Sequence, residues 1–287
     1  MGPQDEEAPM KRAGYRWAAA MPQTAAAKVA RLMIRLMLLA FVIVAAAPLQ
    51  AASLQGTGVV FLHGKGVWPG AFDGGIPGAL EAEGAQVESP EMPWSFRRMY
   101  GATFDQAMTE IDAAVAGLKA RGANRIVIVG HSLGANAAIG YAARRSVVAA
   151  VVAIAPGHLP ETAEMRARTH DALAEARQMY AAGKQDRRAW PDLVQGIPTI
   201  ALATPAVYLS MFDPDGPAVI PKNAAALRAI PFLWVVGNSD PIHERGRDYA
   251  FTRGARNPAS RYIEVAAGHL TTAWQARAQV VEWLKAL

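Results

Sequence analysis

The chain is predicted to fold as an α/β domain, a mostly parallel twisted sheet flanked by helices. Three observations predict it. From residue 56 onward, short runs rich in valine and isoleucine alternate with amphipathic or alanine-rich stretches, the pattern of successive strand–helix–strand units. Several of these runs, such as Arg125-Ile126-Val127-Ile128-Val129, are apolar at almost every position, as strands are when both faces of a sheet are covered. Gly84 and Gly122 close two of the helical stretches, which is where glycine relieves a helix C-terminus.

The elements follow in order. Val59-Val60-Phe61-Leu62 is the first buried strand and runs into the loop His63-Gly64-Lys65-Gly66. Ile76 to Glu83 reads as a helix and Ala85 to Glu88 as a weaker strand. Phe104 to Arg121 is a long amphipathic helix, with Phe104, Met108, Ile111, Val115 and Leu118 at helical spacing. The Arg125–Val129 strand leads through Gly130 into an alanine-rich helix over Ala135 to Arg144. Val147 to Pro156, Pro231 to Gly237 and Arg261 to Val265 supply three more strands, and Trp274 to Leu287 the last helix. Residues 159–226 interrupt the alternation with a charged helical stretch (Glu161 to Tyr180), an apolar stretch holding Pro198 and Pro205, and the turn cluster Asp213 to Pro217. An insertion here is expected to sit above the sheet as a lid or cap. The competing expectation is an elaborated pair of core helices without a gating role.

Composition bounds the function. With 287 residues, 52% hydrophobic and 18% charged, the chain is long and apolar enough for one α/β domain carrying an insertion. It has no cysteine, which excludes a thiol nucleophile, a disulfide framework and cysteine-ligated zinc. The net charge of +5 is concentrated early: residues 1–52 hold six basic residues (Lys11, Arg12, Arg16, Lys28, Arg31, Arg35) against three acids. The remainder has no dense Lys/Arg cluster, so no nucleic-acid partner is expected. Lys28, Arg31 and Arg35 precede an apolar run of about a dozen residues, Leu36 to Ala47, which Pro48 ends, the order of a secretory signal. Residues 1–52 are therefore expected to be a signal peptide with its basic leader, cleaved near Ala51 or Ala52. That makes residues 53–287 a periplasmic or secreted domain that meets the membrane only during export. The alternative is an uncleaved anchor with the domain outside.

The chemistry centres on Gly130-His131-Ser132-Leu133-Gly134. A strand turning sharply into a helix through two glycines lifts a serine hydroxyl off the sheet edge and aims a helix N-terminus at the reacting carbonyl. A serine hydroxyl is a weak nucleophile and needs a base, for which histidine is suited by its pKa. Of six histidines, His269 fits best, because Ala266-Ala267-Gly268-His269-Leu270 follows the last strand. The base needs a carboxylate to orient it. Asp240, in Gly237-Asn238-Ser239-Asp240-Pro241, directly follows a strand, with Asp213, Asp215 and Glu244 as rivals. His170 and His243 are expected on the surface.

With that order, Ser132, Asp240, His269, each just past a strand, the chain resembles the α/β-hydrolase superfamily over about residues 57–287. The resemblance implies an eight-stranded sheet, and the short distance from the expected cleavage site to Val59 predicts a shortened N-terminal edge. It implies an oxyanion hole built from the Leu133 N–H and an N–H of the His63–Gly66 loop, that of Lys65 or alternatively Gly66. It also implies that His63 braces its loop and that His131 packs. The Lys65 side chain is expected to be solvated. Trp94 and Phe96 are candidate substrate contacts, against packing or surface solvation, and so is His158, against a hinge or capping role. Arg97 or Arg98 is a candidate for holding a substrate carboxylate, against packing and surface solvation. No metal or other cofactor is expected. The implied activity is a serine hydrolase that cleaves an ester, thioester or amide of a small to medium substrate through an acyl-enzyme. Two alternatives stay open: a cofactor-free haloperoxidase-like or C–C bond hydrolase on the same triad, and a non-catalytic binding protein of the same fold.

Overall fold

Alternate residues of one strand enter two different cores. In the first strand Val59 and Phe61 pack into one apolar cluster while Val60 and Leu62 pack into the other. The period of two puts successive side chains on opposite faces of the sheet, so a run apolar at every position means helices on both sides. The computed structural model describes residues 53–287, and the expected export segment, residues 1–52, lies outside the described residues.

In chain order the described residues form β1 (Thr57–Leu62), α1 (Ile76–Ala82), β2 (Gln86–Glu88), α2 (Phe104–Ala120), β3 (Arg125–His131), α3 (Leu133–Arg144) and β4 (Val148–Ile154). Then come α4 (Ala163–Ala181), β5 (Arg188–Val194), β6 (Ile197–Ala203), α5 (Pro205–Phe212) and α6 (Ile220–Ala225). The chain returns with β7 (Phe232–Gly237), the single turn α7 (Phe251–Gly254), β8 (Arg261–Val265) and α8 (Thr272–Lys285). Six strands form one sheet in the order β2-β1-β3-β4-β7-β8, with every neighbouring pair parallel. The first two strands of the eight-stranded pattern have no counterpart among the described residues.

Helices α1 and α8 share one face with Val127, Val129 and Val152. Helices α2 and α3 cover the other, against Ile126, Ile128 and Val151. Helix α2 starts where it does because Thr103 caps it: the Thr103 hydroxyl accepts from the Gln106 N–H and the Gln106 side chain accepts from the Thr103 N–H, a reciprocal capping box.

The insertion contains a hairpin that its two prolines concealed. Strands β5 and β6 pair antiparallel through a two-residue turn, Gln195 (φ 52°) and Gly196 (φ 77°). Left-handed backbone at both positions matches the twist of the flanking strands. The hairpin and α5 are joined by an aromatic stack, with ring centroids 4.9 Å apart for Trp190 and Tyr208 and 4.5 Å apart for Tyr208 and Phe212. These side chains belong to the same apolar cluster as α2 and α3, so the insertion shares the core of the sheet's helical layer.

Because all six strands run the same way, their C-terminal ends line one rim. Strand addition switches direction at β1: β2 adds on one side, β3 on the other. Open α/β sheets bind ligands outside the strand ends at such a switch point. Here the loops after β1 and β3 flank it.

Candidate active site

Ser132 follows β3 and precedes α3 with φ 57° and ψ −122°, a region that side-chain-bearing residues rarely occupy. The flanking glycines permit the turn. A methyl group on Gly130 would lie 2.1 Å from the Gly134 carbonyl oxygen, and one on Gly134 would lie 2.1 Å from the Leu62 carbonyl oxygen. The elbow therefore presses against the end of β1.

The three residues singled out by order meet. His269 Nε2 lies 2.9 Å from Ser132 Oγ, and His269 Nδ1 lies 2.8 Å from Asp240 Oδ2. The bonding pattern makes Nδ1–H the donor to the carboxylate and Nε2 the acceptor from the serine hydroxyl. Asp240 caps a 3-10 turn over Pro241–Arg245, its Oδ1 accepting from the Ile242 N–H at 3.1 Å. One oxygen is thus fixed by the backbone and the other is left for the imidazole. His269 sits between β8 and α8 in a turn held by the Thr271 and Thr272 N–H groups, both bonded to the Gly268 carbonyl. The rival acids lie elsewhere: Asp213 pairs with Arg177, Asp215 takes part in the turn after α5, and Glu244 lines the cavity without reaching the imidazole.

Leu133 begins α3, so its N–H has no intrahelical acceptor. The loop after β1 passes beside the nucleophile: a methyl group on Gly64 would lie 3.2 Å from Ser132 Cβ. Two facts separate the loop's candidate donors. The Gly66 N–H is taken by the Trp94 carbonyl at 2.8 Å, which closes the Gly66 alternative. The Lys65 N–H has no protein acceptor among the described residues. The peptide carrying it is oriented by His63, whose Nδ1–H donates to the Gly64 carbonyl of that same peptide at 2.8 Å while Nε2 accepts from the Met92 N–H at 3.0 Å. Carbonyl and N–H of a trans peptide point opposite ways, so fixing the Gly64 oxygen aims the Lys65 N–H. Burial pulls the His63 pKa below its ordinary value, which suits a ring that accepts on one nitrogen.

One further expectation is corrected, and two candidate roles give way to the packing and solvation weighed against them. The Lys65 side chain is not solvated: its Nζ lies 2.7 Å from Asp192 Oδ1 in β5 and 3.0 Å from the Leu193 carbonyl. Trp94 and Phe96 do not line the cavity. Trp94 is buried, with Nε1–H donating to the His63 carbonyl at 2.9 Å, while Phe96 is exposed. Position after a strand put both near the rim, but backbone position does not set side-chain direction. Arg97 and Arg98 are occupied by Glu91 and Glu110, leaving neither free for a carboxylate.

A cavity of about 320 Å³ opens over Ser132 and His269, at the small end of the roughly 300–1,000 Å³ typical of ligand sites. Pro156, Leu159, Met165, Leu193, Val194 and Ile242 give it apolar walls, and Glu164, Glu244 and Arg245 add charge. His158 does line it, with φ 63° and with Nε2–H donating to the Met211 carbonyl at 2.7 Å. Burial lowers its pKa to about 3 and that of His131 to about 4, so both rings are neutral. His131 packs under the site, its Nε2–H donating to the His269 carbonyl at 3.0 Å. Missed altogether by sequence reasoning were Asp192, which carries no local motif, and Gly157, which sits against the nucleophile. Among the described residues no group of three or more His, Asp or Glu side chains is placed to hold a metal ion.

The fold is similar to that of a monoacylglycerol lipase from Paleococcus ferrophilus (TM-score 0.56, 21% identity, 80% of this chain and 94% of that one covered). It is also similar to the Pyrococcus furiosus esterase PF2001 (TM-score 0.55, 20% identity, 81% and 82% covered). A thioesterase domain from the curacin biosynthetic pathway matches at TM-score 0.52, 15% identity, 80% and 91% covered. Comparison with curated protein sequences gives no match. The sequence model of the alpha/beta hydrolase family matches residues 59–283. With that match running from within β1 to within the last helix, the chain belongs to the alpha/beta hydrolase family.

Proposed function

We propose that this protein is a serine hydrolase that cleaves an ester of a small to medium, partly apolar substrate through an acyl-enzyme. The observation that carries this reading is the unbroken relay from Ser132 Oγ through His269 to Asp240, at 2.9 and 2.8 Å. Ser132 attacks the carbonyl carbon as His269 Nε2 takes the hydroxyl proton. Asp240 holds the imidazole tautomer and balances the imidazolium. The Leu133 and Lys65 N–H groups oppose the charge on the tetrahedral oxygen. His269 then gives its proton to the leaving alcohol, and water repeats the sequence to release the acid. The apolar cavity walls suit a partly apolar substrate, and an ester is put ahead of a thioester or an amide because it demands least of the leaving group.

The test is turnover of p-nitrophenyl esters of rising chain length, together with labelling by a fluorophosphonate. The wild type should react at Ser132, and Ser132→Ala should lose labelling and on the order of 10⁶ in kcat. Labelling without turnover of any ester favours C–C bond hydrolysis or haloperoxidase-like chemistry. A wild type that is not labelled is the outcome expected of a binding protein.

The insertion over residues 159–226 acts in this reading as a cap whose hairpin tip closes one side of the cavity, since Val194, Gln195 and Gly196 line it. The basic leader and apolar run within residues 1–52 support export, with the mature domain periplasmic or secreted. An N-terminus beginning near Ala52 or Ser53 on the exported protein is the expected result, whereas an intact leader in the membrane fraction would identify an anchor.

A further inference from the structure

Among the described residues two pairings of a carboxylate with a basic side chain leave no more than 10% of either side chain exposed: Asp240–His269 and Lys65–Asp192. The first is the relay. The second joins β5 of the insertion to the loop after β1, which are separated by more than a hundred residues of chain. Taking two charges out of water brings little net stability, so a pair this buried is poorly explained as a fastener.

Asp192 accepts three hydrogen bonds. Oδ1 accepts from Lys65 Nζ at 2.7 Å and from the Leu193 N–H at 2.7 Å, and Oδ2 from the Tyr100 hydroxyl at 3.2 Å. Tyr100 is itself buried and stays protonated, its pKa raised by burial and by the neighbouring carboxylate. The Lys65 ammonium spends a second donor on the Leu193 carbonyl and lies 5.8 Å from the Phe212 ring centre. Asp192 thus grips Lys65 from a support made of β5, α5 and the loop before α2.

Lys65 needs that grip. The rest of its loop is tied by the backbone and by His63: Gly66 N–H to the Trp94 carbonyl, Phe96 N–H to the Val67 carbonyl, and the His63 ring to Gly64 and Met92. Lys65 makes no such backbone bond among the described residues, and its side chain is its tether. The His63 ring holds the carbonyl end of the Gly64–Lys65 peptide, and Asp192 holds Lys65 at the other end.

We infer that Asp192 is a positioning residue for the oxyanion hole, holding Lys65 so that its N–H meets the charge that develops on the substrate oxygen. This deepens the serine-hydrolase reading and rests on it. The hairpin then belongs to the apparatus that stabilises the transition state, through the one side chain by which it holds Lys65. A donor helps only when it is within about 2.7–3.1 Å of the oxyanion position, so a small drift of Lys65 weakens the transition state and leaves ground-state binding in the apolar cavity unchanged.

The variants are Asp192→Asn, Lys65→Met, Lys65→Arg and the Asp192→Asn/Lys65→Met double. Each keeps the backbone N–H. Tyr100→Phe, which removes one hydrogen bond to Asp192, covers the case in which Asp192→Asn does not fold. Readouts are kcat and KM for a p-nitrophenyl ester and the affinity of a trifluoromethyl ketone, whose serine adduct carries the oxyanion. Asp192→Asn should lower kcat by at least about tenfold, up to the 10²–10³-fold that follows loss of one oxyanion donor, with KM within about twofold. Ketone affinity should fall in step with kcat. The double variant should be no worse than the poorer single one, as for residues that act as a unit, and Lys65→Arg should retain more kcat than Lys65→Met. Tyr100→Phe should show the same pattern at smaller size. A folded Asp192→Asn with wild-type kcat, or a loss confined to KM or to thermal stability with ketone affinity intact, overturns the assignment. So does an unchanged kcat in Tyr100→Phe where Asp192→Asn does not fold. A wild type inert to esters and fluorophosphonate alike removes the hydrolase reading itself, a result distinct from any of these.

Discussion

A methyl group at position 157 would lie 2.9 Å from Ser132 Oγ and 3.4 Å from His269 Cε1. The backbone there is not left-handed, so alanine fits the chain but not the neighbour. One of the two must shift, and the Ser132–His269 geometry with it. Gly157→Ala is therefore expected to fold normally and to lower kcat/KM about 10²-fold, the scale of a misplacement near one ångström. Steady-state kinetics with a thermal melt checks both halves. At this scale the sequence was informative where chemistry imposes order. Ser132, Asp240 and His269 were legible because each must follow a strand and because their order along the chain is diagnostic. Gly157, Asp192 and the direction of the Lys65 side chain were not, since each depends on a neighbour distant in the chain. Local pattern left Trp94 open between substrate contact and packing for the same reason: its indole turns inward to bond His63, which no local pattern announces.

Most elements were legible from period and punctuation. The sheet strands and the helices that flank them appear within a residue or two of where apolar runs and glycines put them, because each is covered on predictable faces. The hairpin was not. Pro191 lies opposite Ile200 and Pro198 opposite Leu193, two positions out of register, and proline within a run argues against a central strand. As a two-stranded ribbon, the hairpin has room for both. The overlooked signal was Gln195-Gly196, a two-residue turn between apolar runs. Helix α2 offers the cleanest test of local coding. Removing the reciprocal cap with Thr103→Ala is expected to lower stability by about 1 kcal/mol without altering kcat, measured by urea unfolding alongside the ester assay.

For the molecule as a whole, two buried neutral histidines set an acid limit. The pKa values of His131 and His158 are lowered to about 4 and about 3 by burial, against roughly 6.5 in an unfolded chain. The unfolded state therefore binds protons first as pH falls below about 6.5, and stability declines steadily toward pH 4, with His131 alone worth on the order of 3 kcal/mol. Urea midpoints at pH 7, 5.5 and 4 should show that decline, and His131→Asn and His158→Gln should each flatten it. The fold class was legible at this scale because an all-parallel sheet leaves a distinctive rhythm in the chain. The hairpin's part in the site was not, because it is a matter of how distant segments dock.

The backbone at Ser132, φ 57° and ψ −122°, sets activity against durability. Conformations of this kind typically cost about 1–3 kcal/mol in a residue with a side chain, and only glycine adopts them freely. In the proposed serine-hydrolase reading, activity keeps a side chain at a place where the backbone favours glycine. Two dead enzymes expose the tension. Ser132→Gly and Ser132→Ala lose the same oxygen, yet the glycine form should resist denaturant better, because it alone lets the elbow relax.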